Sequence, residues 1–154
     1  MPAILFLTAR LFKFRTAQFL YYHKQSNKSS HKISRVTFNN SIKPLVNLFI
    51  DKPSDELYII LGNYLKAFTT ILKNKKVDNA IVNPIVFRSI MQFFKIIAPK
   101  IQDRFGKNYA VNNFDDVLTP LSNTLKPSIF SKKYRSPINL LDEFSKALNS
   151  SFSL

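Results

Sequence analysis

Few residues of this chain are of types that do chemistry, and their spacing excludes more than it suggests. Cysteine is absent, which removes a thiol nucleophile, a disulfide scaffold and every cysteine-based zinc or iron–sulfur site. The two histidines, His23 and His31, lie in the polar run HKQSNKSSHK with no neighbouring carboxylate, so no metal site forms around them in sequence. Two glycines, Gly62 and Gly106, cannot build a phosphate-cradling loop or a dinucleotide fingerprint. The acids include three adjacent pairs, Asp55-Glu56, Asp115-Asp116 and Asp142-Glu143. The first two stand where helices are expected to begin, and there a carboxylate offsets the partial positive charge of the free N–H groups. The third lies on a polar helix face. No serine has an evident histidine partner. The sequence therefore implies no catalytic residue, no metal and no cofactor, and reads as non-enzymatic.

What the chain has in excess is positive charge. Lysine and arginine number 23 against nine acids, a net charge of +14, and residues 1–50 carry eight basic residues and no acid. Such an excess favours phosphate-bearing partners, because each lysine or arginine that meets a phosphate releases a condensed counterion. The densest clusters, Lys73-Lys75-Lys76 and Lys132-Lys133-Arg135, are the best candidates for phosphate contact, followed by the stripe Arg88–Gln92–Lys95. Solvated loops and a solvated helix face are the plain alternatives, and a lysine- and asparagine-rich composition also arises from genomic base bias.

The elements that position these residues are helical. The hydrophobic content of 45% suits one globular domain, expected over residues 36–154 and preceded by a basic leader and linker at 1–35. Ser41 precedes a short helix, Ile42–Ile50, with Pro44 in its first turn, and Lys52-Pro53 stops it. Ser54 is the expected N-cap of a second helix, in which Leu57, Ile60, Leu61, Tyr64, Leu65, Phe68, Ile71 and Leu72 recur at helical spacing. Asn83 caps a third helix with Pro84 at its first position, ending before Ala98-Pro99. A short continuation from Lys100 stops at Gly106 in a left-handed conformation. Asn113 caps a segment Phe114–Leu121 that Pro120 and Pro127 keep short. Ser136-Pro137 opens the last helix, with Leu141, Phe144 and Leu148 on its apolar side. The fold class is mostly α, an array of four or five helices behind an N-terminal extension of undecided structure. Residues 3–22 are apolar but interrupted by Arg10, Lys13 and Arg15, too broken for a transmembrane span, which needs about 20 apolar residues. The segment is basic and acid-free, as mitochondrial transit peptides are, while its alternation around Leu11–Arg15 also suits a strand.

Four stretches occur in an order that resembles one family. They are KISRVTFNNSIKPLV (Lys32–Val46), ELYIILGNYLKAF (Glu56–Phe68), NPIVFRSIMQFF (Asn83–Phe94) and NFDDVLTPL (Asn113–Leu121). Together they resemble the carboxy-terminal part of DGQHR-domain proteins, the group that includes the DNA sulfur-modification protein B. The Asp-Gly-Gln-His-Arg motif itself is not in this chain, so activity tied to that motif is not carried over. The resemblance implies a prokaryotic, cytoplasmic setting, a link to DNA modification or defence, and a partner bearing the missing motif, as for a truncated descendant or one half of a split gene. The expectation is a non-enzymatic, DNA-associated helical module. The alternative is a mitochondrially imported basic protein acting with RNA or in assembly.

Overall fold

The computed structural model describes residues 33–49, 51–134 and 136–150. Residues 1–32 and Arg135 lie outside them, and with them the expected leader and linker up to Lys32, including its alternating stretch. Among the described residues five α-helices follow one another: α1 (Arg35–Val46), α2 (Ser54–Asn74), α3 (Pro84–Phe105), α4 (Val111–Thr124) and α5 (Pro137–Asn149). Short 3-10 turns occupy Asn47–Phe49, Asp78–Val82 and Pro127–Ser131, and no strand occurs among the described residues. The chain divides into two units between Ile59 and Ile60, inside α2.

In the first unit, α1 begins earlier than its punctuation suggests. Ser34 rather than Ser41 is the N-cap, its Oγ accepting from the Thr37 N–H at 3.1 Å. Ser41 lies inside the helix and donates back to the Thr37 carbonyl. The face Thr37, Phe38, Ser41, Ile42 and Leu45 is buried, and its three- and four-residue spacing carries the helix across the expected start. At the start of α2 the Pro53 carbonyl accepts from the Leu57 N–H. Ser54 is therefore the first helical residue and not the cap.

The second unit is built around aromatic rings from four helices. Tyr64 of α2 meets Phe94 of α3 at 5.0 Å and Phe114 of α4 at 5.6 Å between centroids. One turn along α2, Phe68 meets Phe144 of α5 at 5.4 Å, and Phe144 in turn meets Phe93 of α3 at 5.5 Å. All six rings are fully buried. Edge-on and tilted packing of this kind contributes roughly 0.5–1.5 kcal/mol per pair beyond burial itself. Helices α3, α4 and α5 also pack mutually.

Hydrogen bonds fix the register of this core. Tyr64 Oη donates to the Ile90 carbonyl at 2.6 Å, and Asn63 Nδ2 donates to the Tyr109 carbonyl at 2.9 Å. The buried Ser89 hydroxyl stands 2.8 Å from the Ile85 carbonyl and 2.9 Å from that of Pro137, linking α3 to the first residue of α5. The Asn63-Tyr64 and Asn83-Pro84 pairs thus have structural work here. Asn63 and Tyr64 bond across elements, and Asn83 caps α3 through the Ile85 and Val86 N–H groups with Pro84 following.

Proline breaks fewer helices than expected. Residues Pro84–Phe105 form one helix through Pro99, and α4 continues through Pro120 to Thr124. Pro44, too, sits in the last turn of α1 and not its first. A proline inside a helix frees the carbonyl four residues earlier. Here those carbonyls belong to Asn40, Lys95 and Asp116, all exposed residues, so water can take the lost bond. Burial of the opposite face, as at Ile97, Ala98 and Ile101, does the rest. Helix α4 also starts at Val111, with Ala110 at the cap position, so Asn113 lies within its first turn. Asp115 and Asp116 consequently fall beyond the first turn, away from the dipole role expected of them. At the end of α3, Gly106 has φ +65° and ψ −145°, an extended conformation reserved for glycine, not the left-handed helical one. In α5 it is Leu140, with Phe144 and Leu148, that is buried, while Leu141 is only partly so.

Candidate nucleic-acid interface

The first lysine cluster ends α2 in a tight reversal. The Val77 N–H bonds the Leu72 carbonyl at 2.9 Å and the Lys76 N–H bonds that of Lys73 at 3.0 Å, the paired bonds of a Schellman motif. That motif requires a left-handed residue at Lys76, whose φ is +59°. Glycine is the usual occupant, and a side chain there costs roughly 1 kcal/mol. Lys73 and Lys76 are exposed and Lys75 is partly buried.

The reversal delivers the chain to a groove. Val77, Asn79 and Ala80 line it from the Asp78–Val82 turn, Asn83 and Val86 from the start of α3, and Phe130 and Ser131 from the Pro127–Ser131 turn. It is an open depression of about 370 Å³. Lys75 and Lys76 immediately precede Val77, and Lys132 and Lys133, both exposed, immediately follow Ser131. Two clusters distant in the chain therefore each adjoin, in sequence, a segment that lines one depression. Lys126 is exposed just before the Pro127–Ser131 turn. Between Lys73 and Phe87 the one acid is Asp78, and residues 125–137 contain none.

The remaining candidates lie elsewhere. Arg88 and Lys95 are on α3 but do not line the groove. Their stripe is not a freely solvated face, because Arg88 and Gln92 are partly buried and only Lys95 is exposed. The Arg88 Nε is buried without a hydrogen-bond partner. Arg135 falls outside the described residues.

Sequence reasoning missed Phe130, Asn79 and Asn83 as site residues. Asn83 was legible only as a cap, and an isolated phenylalanine carries no signal until the fold brings it beside another segment.

Among the described residues two phenols are shifted from their ordinary pKa. Burial raises the Tyr64 phenol well above its ordinary pKa, but that group is packed in the core. Tyr134 is also raised, by burial first and then by the nearby Glu143 carboxylate. Glu56 pairs with Lys52 at 2.6 Å and Glu143 with Lys146 at 3.7 Å, both within one helical turn. Among the described residues no group of three or more histidine, cysteine, aspartate or glutamate side chains is placed to hold a metal ion. No helix among them is long and apolar enough to cross a membrane. Comparison with family models, with curated proteins and with solved structures finds no match to this chain.

Proposed function

We propose that this protein is a non-enzymatic helical module that holds a nucleic-acid backbone on the lysines flanking the groove between the Asp78–Val82 and Pro127–Ser131 turns. One observation carries the reading: Lys75-Lys76 and Lys132-Lys133, far apart in sequence, are chain neighbours of Val77 and Ser131, which line one groove. The strained backbone at Lys76 supports it. A lysine is kept where glycine would be easier, which is expected when the cation itself serves a purpose. DNA is the polyanion favoured by the resemblance to DGQHR-domain proteins. The same resemblance supports a cytoplasmic setting, a link to DNA modification or defence, and a partner bearing the missing motif. The acid-free first fifty residues favour the second reading, an imported mitochondrial protein acting on RNA or in assembly.

Binding measured by fluorescence anisotropy against salt concentration tests the proposal. Each phosphate contact contributes a log–log slope of about −0.9 on duplex DNA and about −0.7 on a single strand. The triple variant K73Q/K75Q/K76Q and the variant K132Q/K133Q are each expected to lower the slope, and K95Q to leave it unchanged. Undetectable binding to both DNA and RNA at low salt refutes the proposal. Comparing RNA with DNA at equal length separates the two readings of the partner.

A further inference from the structure

We infer that the groove takes an unpaired base, so that this protein prefers single-stranded nucleic acid to duplex. The inference rests on the phosphate-binding reading above and names what fills the space between its two cationic flanks.

The polarity of the site is that of a nucleotide. No residue of the lining is charged, and the lysines stand on either side of it in the chain. A base is an uncharged ring with hydrogen-bonding edges, and its phosphates are the charged part. Val77, Ala80, Val86 and the Phe130 ring supply apolar surface. Phe130 is partly exposed and lies 6.2 Å from Phe144, so one aromatic neighbour steadies it from the core while it lines the groove. Aromatic rings beside cationic tracks are how sequence-tolerant single-strand binders hold bases, since every base has a face to stack.

The edges of a base also find partners. Asn79 is exposed and offers an amide with both donor and acceptor. The Asn83 Oδ1 is committed to the Ile85 and Val86 N–H groups, which leaves its Nδ2 as a donor beside the groove. At about 370 Å³ the depression lies near the low end of the roughly 300–1,000 Å³ of small-molecule sites. A duplex keeps its base faces stacked inside. It would meet the lysines and leave the groove unfilled.

The test uses the full chain with four probes of equal length: an oligothymidylate, an oligoadenylate, an abasic single strand and a duplex. The abasic strand keeps the phosphates and loses the bases. Both base-bearing strands are expected to bind more tightly than the abasic one, by about 5- to 150-fold for one base stacked on an aromatic ring, the equivalent of roughly 1–3 kcal/mol. Phe130→Leu is expected to remove most of that advantage while leaving the salt slope and the affinity for the abasic strand unchanged. The chain has no tryptophan, so Phe130→Trp introduces a single indole as a direct reporter of stacking. Its fluorescence is expected to be quenched by the base-bearing strands and by neither the abasic strand nor the duplex. If the abasic strand and the duplex bind as tightly as the others and the indole is not quenched, the base inference is overturned and phosphate binding stands. If no probe binds at low salt, both fail together.

Discussion

Replacing Tyr64 with phenylalanine takes one oxygen from the centre of the ring cluster and nothing else. The side chain is fully buried, and its hydroxyl donates to the Ile90 carbonyl at 2.6 Å. Deleting a hydrogen bond of this kind costs about 1 kcal/mol. The penalty stays near that value because the carbonyl left behind sits in a helix, where it can accept a main-chain bond through its other lone pair. Tyr64→Ala removes the ring as well, with its contacts to Phe68, Phe94 and Phe114, and is expected to cost about 3–5 kcal/mol. That is a large part of the roughly 5–15 kcal/mol by which a domain is stable. Urea unfolding followed by circular dichroism reads both differences.

The same phenol gives a sharper test in alkali. Burial raises its pKa in the folded state well above 10.0. Below about pH 10 the phenol is neutral in both states and pH has no leverage through it. Above that the unfolded chain loses the proton while the folded one keeps it, so the unfolded state binds fewer protons and stability falls as pH rises. The fall approaches about 1.4 kcal/mol per pH unit until the folded-state pKa is reached. Tyr64→Phe abolishes this contribution. The stability difference between the native protein and Y64F is expected to be constant up to about pH 9.5 and to shrink above pH 10. All other ionisable groups are shared by both proteins and cancel in the difference. A Y64F variant as stable as the native protein, with a superimposable alkaline limb, refutes the buried, bonded hydroxyl.

Three further outcomes follow from particular backbone and side-chain positions. Lys76→Gly relieves the left-handed residue of the Schellman motif and is expected to stabilise the fold by up to about 1 kcal/mol while weakening polyanion binding, whereas Lys76→Gln weakens binding without the gain. Thermal unfolding and anisotropy on the same samples separate the two effects. Gly106→Ala is expected to destabilise by about 1–3 kcal/mol, for backbone reasons alone, since a β-carbon there would meet nothing within 4 Å. Ser89→Ala removes the hydroxyl between α3 and the Pro137 carbonyl and is expected to cost about 1–2 kcal/mol in urea unfolding, with no change in the salt dependence of nucleic-acid binding.

The helical class, and the helices that carry the core, were legible in the sequence because each rests on local information. Asn83-Pro84 and Ser136-Pro137 mark helix starts that the structure keeps, and the apolar spacing of α2 from Leu57 to Leu72 predicts the face that is buried. Helix ends were less legible. Ser41, Asn113, Pro99 and Pro120 all have the chemistry of a boundary, and each lies inside a helix. A capping or breaking preference of about 1–3 kcal/mol is outweighed when several apolar side chains on the same helix are buried and the freed carbonyl faces water. The candidate site divides in the same way. Sequence density alone picked out Lys73, Lys75, Lys76, Lys132 and Lys133. That the two clusters adjoin segments lining one groove, that Phe130 and Asn79 line it, and that Arg88 and Lys95 do not, depend on contacts between distant segments. Burial of the aromatic core fixes those contacts, and charge spacing along the chain does not encode them.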